Sequence, residues 1–159
     1  MGSGKSTLGH EFARRIKCRF VDLDQELERK HQLSIPMIFE QYGEEQFRKW
    51  ETDLLLHISE EDNLIVATGG GLPCFHNNME VLNKSGITIY LKLSAEIIFT
   101  RLSKRRESRP LISNFDDDEL KEFIADTLEK REKFYLLARH IVDAELISVQ
   151  GLLSLTSLR

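Results

Sequence analysis

Gly2-Ser3-Gly4-Lys5-Ser6-Thr7, running into Leu8-Gly9-His10-Glu11-Phe12-Ala13-Arg14-Arg15-Ile16, is the stretch that decides the fold. Glycines let backbone N–H groups turn inward around an anion without side-chain clashes. The spacing predicts a helix over Ser6 to Ile16, with Leu8, Phe12, Ala13 and Ile16 on one face. That helix opens where the glycines end, so its unpaired N–H groups and the positive end of its dipole meet the same anion. Lys5 can then reach the β- and γ-phosphates of a nucleotide, and the Ser6 hydroxyl can ligate Mg²⁺ directly. Gly2, Ser3, Gly4, Lys5, Ser6 and Thr7 are thus the candidate ATP-binding residues. A glycine-rich tail leading into an ordinary helix would account for the glycines, but not for the adjoining Lys-Ser-Thr. The full pattern G-x-x-x-x-G-K-[ST] also calls for a glycine two places before Met1 and a hydrophobic strand feeding the loop. Neither is in this sequence, which leads us to expect residues upstream of Met1; a genuinely shortened chain is the alternative.

The rest of the composition narrows the class. A chain of 159 residues is expected to form one domain, spanning 1–159, with a real core. Basic residues number 22 against 26 acidic, a net charge of -4, which disfavours a general nucleic-acid binder. The longest apolar runs, Leu64 to Ala67 and Ile87 to Leu91, are far too short to span a bilayer, and no signal peptide is legible. Cys18 and Cys74 stand far apart and the five histidines are scattered, so reduced thiols are expected and a structural zinc site is not.

Helical and strand patterns alternate along the chain. After the first helix comes a short apolar run, Arg19 to Leu23, ending in acids. Ser34 is placed to cap a helix over Pro36 to Tyr42, Gly43 to break it, and Glu44 to Ser59 to resume it. Leu64 to Ala67 does not alternate and reads as a fully buried strand, followed at once by Gly69-Gly70-Gly71. A helix through Met79 to Lys84 stops at Gly86, Ile87 to Leu93 reads as a strand, and Ser94 caps a helix to about Lys104. Asp116 and Glu119 form a capping-box start for a long helix reaching Tyr135. Ile141-Val142 is a weak last strand and Val149 to Leu158 a final helix. The alternation argues for a three-layer α/β/α sandwich around a mainly parallel sheet.

Asp22 and Asp24 bracket Leu23 at a predicted strand end, where alternation puts both side chains on one face toward the ligand-binding edge of an open sheet. A phosphoryl-transfer enzyme needs one acid near Mg²⁺ or its water shell and another to orient the attacking hydroxyl. A solvated helix cap would explain either aspartate alone. Three glycines in a row exceed what a turn requires and favour close approach of a ligand to backbone, with Gly70 the expected direct contact.

These fragments together resemble the shikimate kinase family. The phosphate loop is followed by D-x-D (Asp22-Leu23-Asp24) and by G-E-x-x-F-R-x-x-E (Gly43 to Glu51). Next come G-G-G (Gly69 to Gly71), R-P-L (Arg109-Pro110-Leu111) and R-x-x-x-Y (Arg131 and Tyr135). The resemblance runs from the phosphate loop to near the C-terminus. It implies a nucleoside-kinase-like P-loop fold with substrate-binding helices over about 24–60 and a mobile lid over about 104–117. It also implies phosphoryl transfer from MgATP to the 3-hydroxyl of shikimate, in aromatic amino-acid biosynthesis. Lys5, Asp22, Asp24 and Arg109 would be catalytic, with Arg109 also on ATP. Asp24, Arg48, Gly69, Gly70, Gly71 and Arg131 would hold shikimate, the two arginines on its carboxylate. Mg²⁺ would be bound by Ser6 directly and by Asp22 through water. A cytoplasmic monomer without nucleic-acid or membrane partners follows from the same resemblance. For Arg48, pairing with Glu44 and Glu51 at helical spacing is the bland alternative. At the level of function the alternatives are another small-metabolite kinase, gluconate- or nucleoside monophosphate kinase-like, and a non-catalytic ATP-binding module.

Overall fold

The computed structural model describes residues 2–104, 106 and 112–156. Helix α1 (Lys5–Ile16) starts after Gly4, whose φ of 85° lies in the left-handed region that favours glycine. Strand β1 (Arg19–Asp22) runs parallel to β2 (Leu64–Ala67), with Arg19 opposite Leu64 and Asp22 opposite Ala67. Between them lie α2 (Leu23–His31) and α3 (Ile35–Ile58). Ser34 caps α3 as expected, and Gly43 (φ 77°, ψ 170°) breaks it into two helical halves. After β2 the three glycines lead into a 3-10 turn at Leu72–Cys74 and then α4 (Asn78–Ser85), ended by Gly86. Strand β3 (Ile89–Lys92) pairs in parallel with β4 (His140–Asp143). The connection carries α5 (Ala95–Ser103), capped by Ser94, and α6 (Asp117–Tyr135), opened by the Asp116–Glu119 capping box. Helix α7 (Val149–Thr156) follows β4; the last residues of the helix expected to Leu158 lie outside the described residues.

This is the α/β architecture with parallel strands that the alternation predicts. Its core has two centres. One joins Val21, Leu23 and Leu27 to Ile38, Phe47 and Leu54, fixing α2 and α3 beside the end of β1. The other packs α5 on α6 through Ile98, Leu102, Leu120 and Ile124. No helix among the described residues is long and apolar enough to cross a membrane.

Two expectations are corrected. The D-x-D segment is not all strand: β1 stops at Asp22, whose carboxylate accepts the Asp24 backbone N–H at 3.2 Å and so starts α2. Leu23, completely buried, and Asp24 therefore sit in the first helical turn rather than alternating on a strand. The resemblance implies helices from about 24 onward, but the residue pattern alone does not show α2, because its nine residues are strongly charged and the core-facing pair Leu23 and Leu27 is its whole apolar signal. The second correction concerns β2. Only Ala67 of this apolar run is buried, and Leu64, Ile65 and Val66 are partly exposed. Their side of the sheet opens onto a cavity between β2 and β3.

Candidate active site

The head of α1 and the end of β1 meet. Ser6 Oγ donates to Asp22 Oδ2 at 2.6 Å, and Lys5 Nζ lies 3.5 Å from the same oxygen. Asp22 is buried, so its charge is held in place by these partners rather than by solvent. The loop is steadied from a distant element: Arg101 of α5 donates through Nη1 to the Gly2 carbonyl at 3.1 Å. Thr7 is exposed on the first turn of α1.

One turn along α2, Asp24 enters a second cluster. Burial pushes its carboxyl above the ordinary 3.8, with Asp22 and Glu28 adding to the rise and Lys5 and Arg48 opposing it. Opposite stand the glycines after β2. A Cβ on Gly69 would lie 2.6 Å from Asp24 Oδ1 and 3.1 Å from Glu51 Oε1; one on Gly71 would lie 2.5 Å from Arg48 Nη1. Gly69 and Gly71 are thus fixed by this protein's own acids and guanidinium, which need the space a side chain would fill. Gly70 presents its carbonyl to the Tyr135 hydroxyl, which donates across 2.6 Å.

Arg48 is buried, and the bland pairing is real but uneven. Nη1 donates to Glu51 Oε2 at 2.5 Å, and Glu51 is only 2% exposed. Burial pushes the Glu51 carboxyl up, while the Arg48 bond pulls it down. The opposite edge of the guanidinium, Nε and Nη2, donates to Glu44 Oε1 at 3.1 and 3.0 Å. The Glu44 side chain is 58% exposed, so that edge holds a weakly attached, displaceable carboxylate. Phe75, Phe47 and Phe39 ring the guanidinium at 4.6, 5.0 and 5.8 Å from their centroids. Burial raises the pKa values of the Tyr135 hydroxyl, Cys74 and Glu51, and the positive charge of Arg131, on α6, works against that rise at all three.

The structure therefore brings Lys5, Ser6, Asp22, Asp24, Arg48, Gly69, Gly70, Gly71 and Arg131 around one site edge, with Gly2, Ser3 and Gly4 at its phosphate end. Arg109 and the middle of the expected lid, residues 105 and 107–111, lie outside the described residues. Sequence reasoning named Glu51 only as the bland partner of Arg48 and missed two further structural supports. Tyr135 stood inside a quoted motif without an assigned task. Arg101 gave no signal, since its partner is 99 positions away. Among the described residues no cluster of three or more His, Cys, Asp or Glu side chains could hold a metal ion by itself. The Ser6–Asp22 pair does fit Mg²⁺ shared with a nucleotide, because that ion accepts one hydroxyl and one carboxylate, keeps waters and takes the remaining oxygens from phosphates.

A family model described as shikimate kinase matches residues 1–153. A shikimate kinase from Bacteroides thetaiotaomicron is 40% identical over 145 residues, covering 91% of this chain and 83% of the relative. The crystal structure of a Bacteroides thetaiotaomicron shikimate kinase superposes with a TM-score of 0.94 at 38% identity, covering 99% of this chain and 94% of that one. The shikimate kinase of Acinetobacter baumannii, solved in complex with shikimate, superposes with a TM-score of 0.84 at 33% identity, covering 97% and 84%.

Proposed function

The chain belongs to the shikimate kinase family, and we propose that it transfers the γ-phosphoryl group of ATP to the 3-hydroxyl of shikimate. The observation that carries the reading is the convergence of two half-sites. A phosphate end of Lys5, Ser6 and Asp22 adjoins an acceptor end of Asp24, Arg48 and Glu51 gathered against Gly69 and Gly71. An acid, a buried guanidinium and close backbone suit a small polyol carboxylate.

Backbone N–H groups of Gly2 to Thr7 and the Lys5 ammonium hold the phosphates. Ser6, and Asp22 through water, would hold Mg²⁺, which would supply charge neutralisation on the phosphate oxygens. Arg48 receives the substrate carboxylate on its Nε/Nη2 edge in place of Glu44, with Arg131 as second donor, while Glu51 keeps Nη1 fixed. Asp24 orients the 3-hydroxyl and takes its proton as the oxygen attacks the γ-phosphorus. The bond to the β–γ bridging oxygen breaks and ADP leaves. Arg109 neutralises charge on the transferring group as the lid closes and excludes water. In this reading the enzyme serves aromatic amino-acid biosynthesis as a cytoplasmic monomer with ATP and shikimate as its partners.

The test is a coupled assay of ADP release with MgATP, shikimate present or withheld. Strong shikimate-dependent turnover is expected. A protein that binds ATP yet shows no stimulation by shikimate would sink the assignment of acceptor.

A further inference from the structure

Of the three phenylalanine rings around the Arg48 guanidinium, Phe75 is both the nearest and the most open. Phe47 is 3% exposed and Phe39 packs against the same core, whereas Phe75 is 37% exposed at 4.6 Å from guanidinium carbon to ring centroid. Phe75 follows the buried Leu72 and Pro73 and has an extended backbone (φ -122°, ψ 154°). The next two residues, His76 and Asn77, have φ of 49° and 57°. That left-handed region is costly for residues with a Cβ, and two in succession persist only where the surroundings fix them. Asn78 does the fixing. It is 1% exposed, and its Nδ2 donates to the Leu72 carbonyl at 3.0 Å and to Thr52 Oγ1 of α3 at 3.1 Å. Its backbone N–H donates to the Phe75 carbonyl at 2.9 Å. The backbone of Phe75 is thus tied to α3, the helix that carries Arg48.

One exposed ring needs no explanation in itself. What singles out Phe75 is that a strained, anchored turn holds it beside a cation, one edge of which carries only the exposed, displaceable Glu44. A carboxylate that takes both donors of that Nε/Nη2 edge lies in the guanidinium plane. A ring facing the guanidinium carbon then also borders that carboxylate and the carbon bearing it. An aromatic face accepts a flat neighbour at contact distance. An acid conjugated with a C=C bond, as shikimate is, stays flat from the carboxylate into its ring. An acid on a saturated carbon has substituents above and below that plane, and one of them meets Phe75. We propose that Phe75 is a specificity-determining residue of the acceptor half-site, the wall that selects a carboxylate on an unsaturated carbon over one on a saturated carbon. The proposal rests on the phosphoryl-transfer reading and deepens it. Phe75 holds neither proton nor phosphate, so it acts on acceptor affinity and choice rather than on the chemical step.

The experiment measures, by calorimetry, the affinity of the parent, Phe75→Leu and Phe75→Tyr for two acids: shikimate and its saturated counterpart with the ring C=C reduced. The parent is expected to prefer shikimate at least about tenfold. Phe75→Leu should weaken shikimate binding about tenfold, leave the saturated acid within about threefold and so erase the preference, with ATP affinity at the parent value. Phe75→Tyr keeps a ring and should retain the preference. A merely structural role would weaken both acids and ATP together. As a reading that needs no folded variant, 4-fluorophenylalanine at position 75 reports on the ring itself. Its fluorine resonance should shift on adding shikimate. Undiminished shikimate affinity in Phe75→Leu, an equal loss for both acids, or an unmoved fluorine resonance would each overturn the proposal while leaving the kinase reading intact. A parent chain that binds neither acid would instead fail the acceptor reading and take the proposal with it.

Discussion

The Tyr135 hydroxyl donates to the Gly70 carbonyl across 2.6 Å, tying the end of α6 to the glycine loop 65 positions earlier. Burial raises the hydroxyl pKa, so it remains a neutral donor, and its ring lies tilted against that of Tyr90, 5.1 Å between centroids. Tyr135→Phe keeps the ring and orphans the Gly70 carbonyl, a loss of about 1–3 kcal/mol. We expect the KM for shikimate to rise about tenfold with the KM for ATP unchanged. Steady-state kinetics in both substrates decide the point, because a merely structural loss would move both constants or neither.

Gly69→Ala and Gly71→Ala should separate the two halves of the site. The new methyl would press on Asp24 Oδ1 in the first and on the Arg48 guanidinium in the second. Asp24 sits on a helix turn beside the loop and Arg48 is pinned to Glu51, so neither retreats freely. Turnover should fall at least about tenfold in each variant, a positioning loss of the kind a shift of about 1 Å produces. Affinity for ATP, measured by calorimetry, should stay at the parent value.

Arg48→Lys keeps the charge and loses the fork. A lysine can satisfy Glu51 but cannot also present a planar Nε/Nη2 edge to a carboxylate. The KM for shikimate should rise about tenfold or more with ATP affinity retained. Arg48→Ala should in addition lose about 3–5 kcal/mol of stability, because Glu51 is left charged and unpaired in the interior. Restoring stability with the second change Glu51→Gln, without restoring the KM, would separate the structural from the recognition role. Wild-type shikimate affinity in Arg48→Lys removes Arg48 from the site.

What the sequence could and could not carry follows from the range of each interaction. Caps at Ser34, Ser94 and Asp116 and the break at Gly43 were legible because each acts within one helical turn. The phosphate loop was legible because glycines, lysine and hydroxyl must be contiguous to surround an anion. Helix α2 was not, since its formation rests on the Asp22 cap and two core leucines rather than on a periodic stripe. The placing of Asp24 went wrong for the same reason: strand alternation was carried to Asp24, two residues past Asp22, whose side chain ends the strand by capturing the backbone. Arg101 on the Gly2 carbonyl and Tyr135 on Gly70 are contacts between distant elements, which no local pattern encodes. The glycine triplet was read as room for a ligand, and the groups that stand against Gly69 and Gly71 are Asp24, Glu51 and Arg48 of the protein itself.

In the proposed reaction Asp24 ties catalysis to stability through its proton. Desolvation raises its folded pKa above 3.8, so between that value and the raised one the folded state binds more protons than the unfolded state. Its contribution is therefore fully present below 3.8 and is lost as pH rises through the folded value. At neutral pH the ionised, half-buried carboxylate costs stability that the reaction needs spent, since only the ionised form can take the hydroxyl proton. Asp24→Asn replaces it by a neutral group of the same shape. Thermal melts should show the variant more stable than the parent at pH 7, and the difference should vanish near pH 3.5, while turnover falls by orders of magnitude. In the parent, the acid limb of kcat/KM should lie above 3.8, and Asp22→Asn should move the Asp24 titration, followed by carboxyl NMR, downward because a like charge has been removed. An Asp24→Asn protein less stable than the parent at pH 7 would mean that the carboxylate is paired rather than strained, and would withdraw it as the proton acceptor.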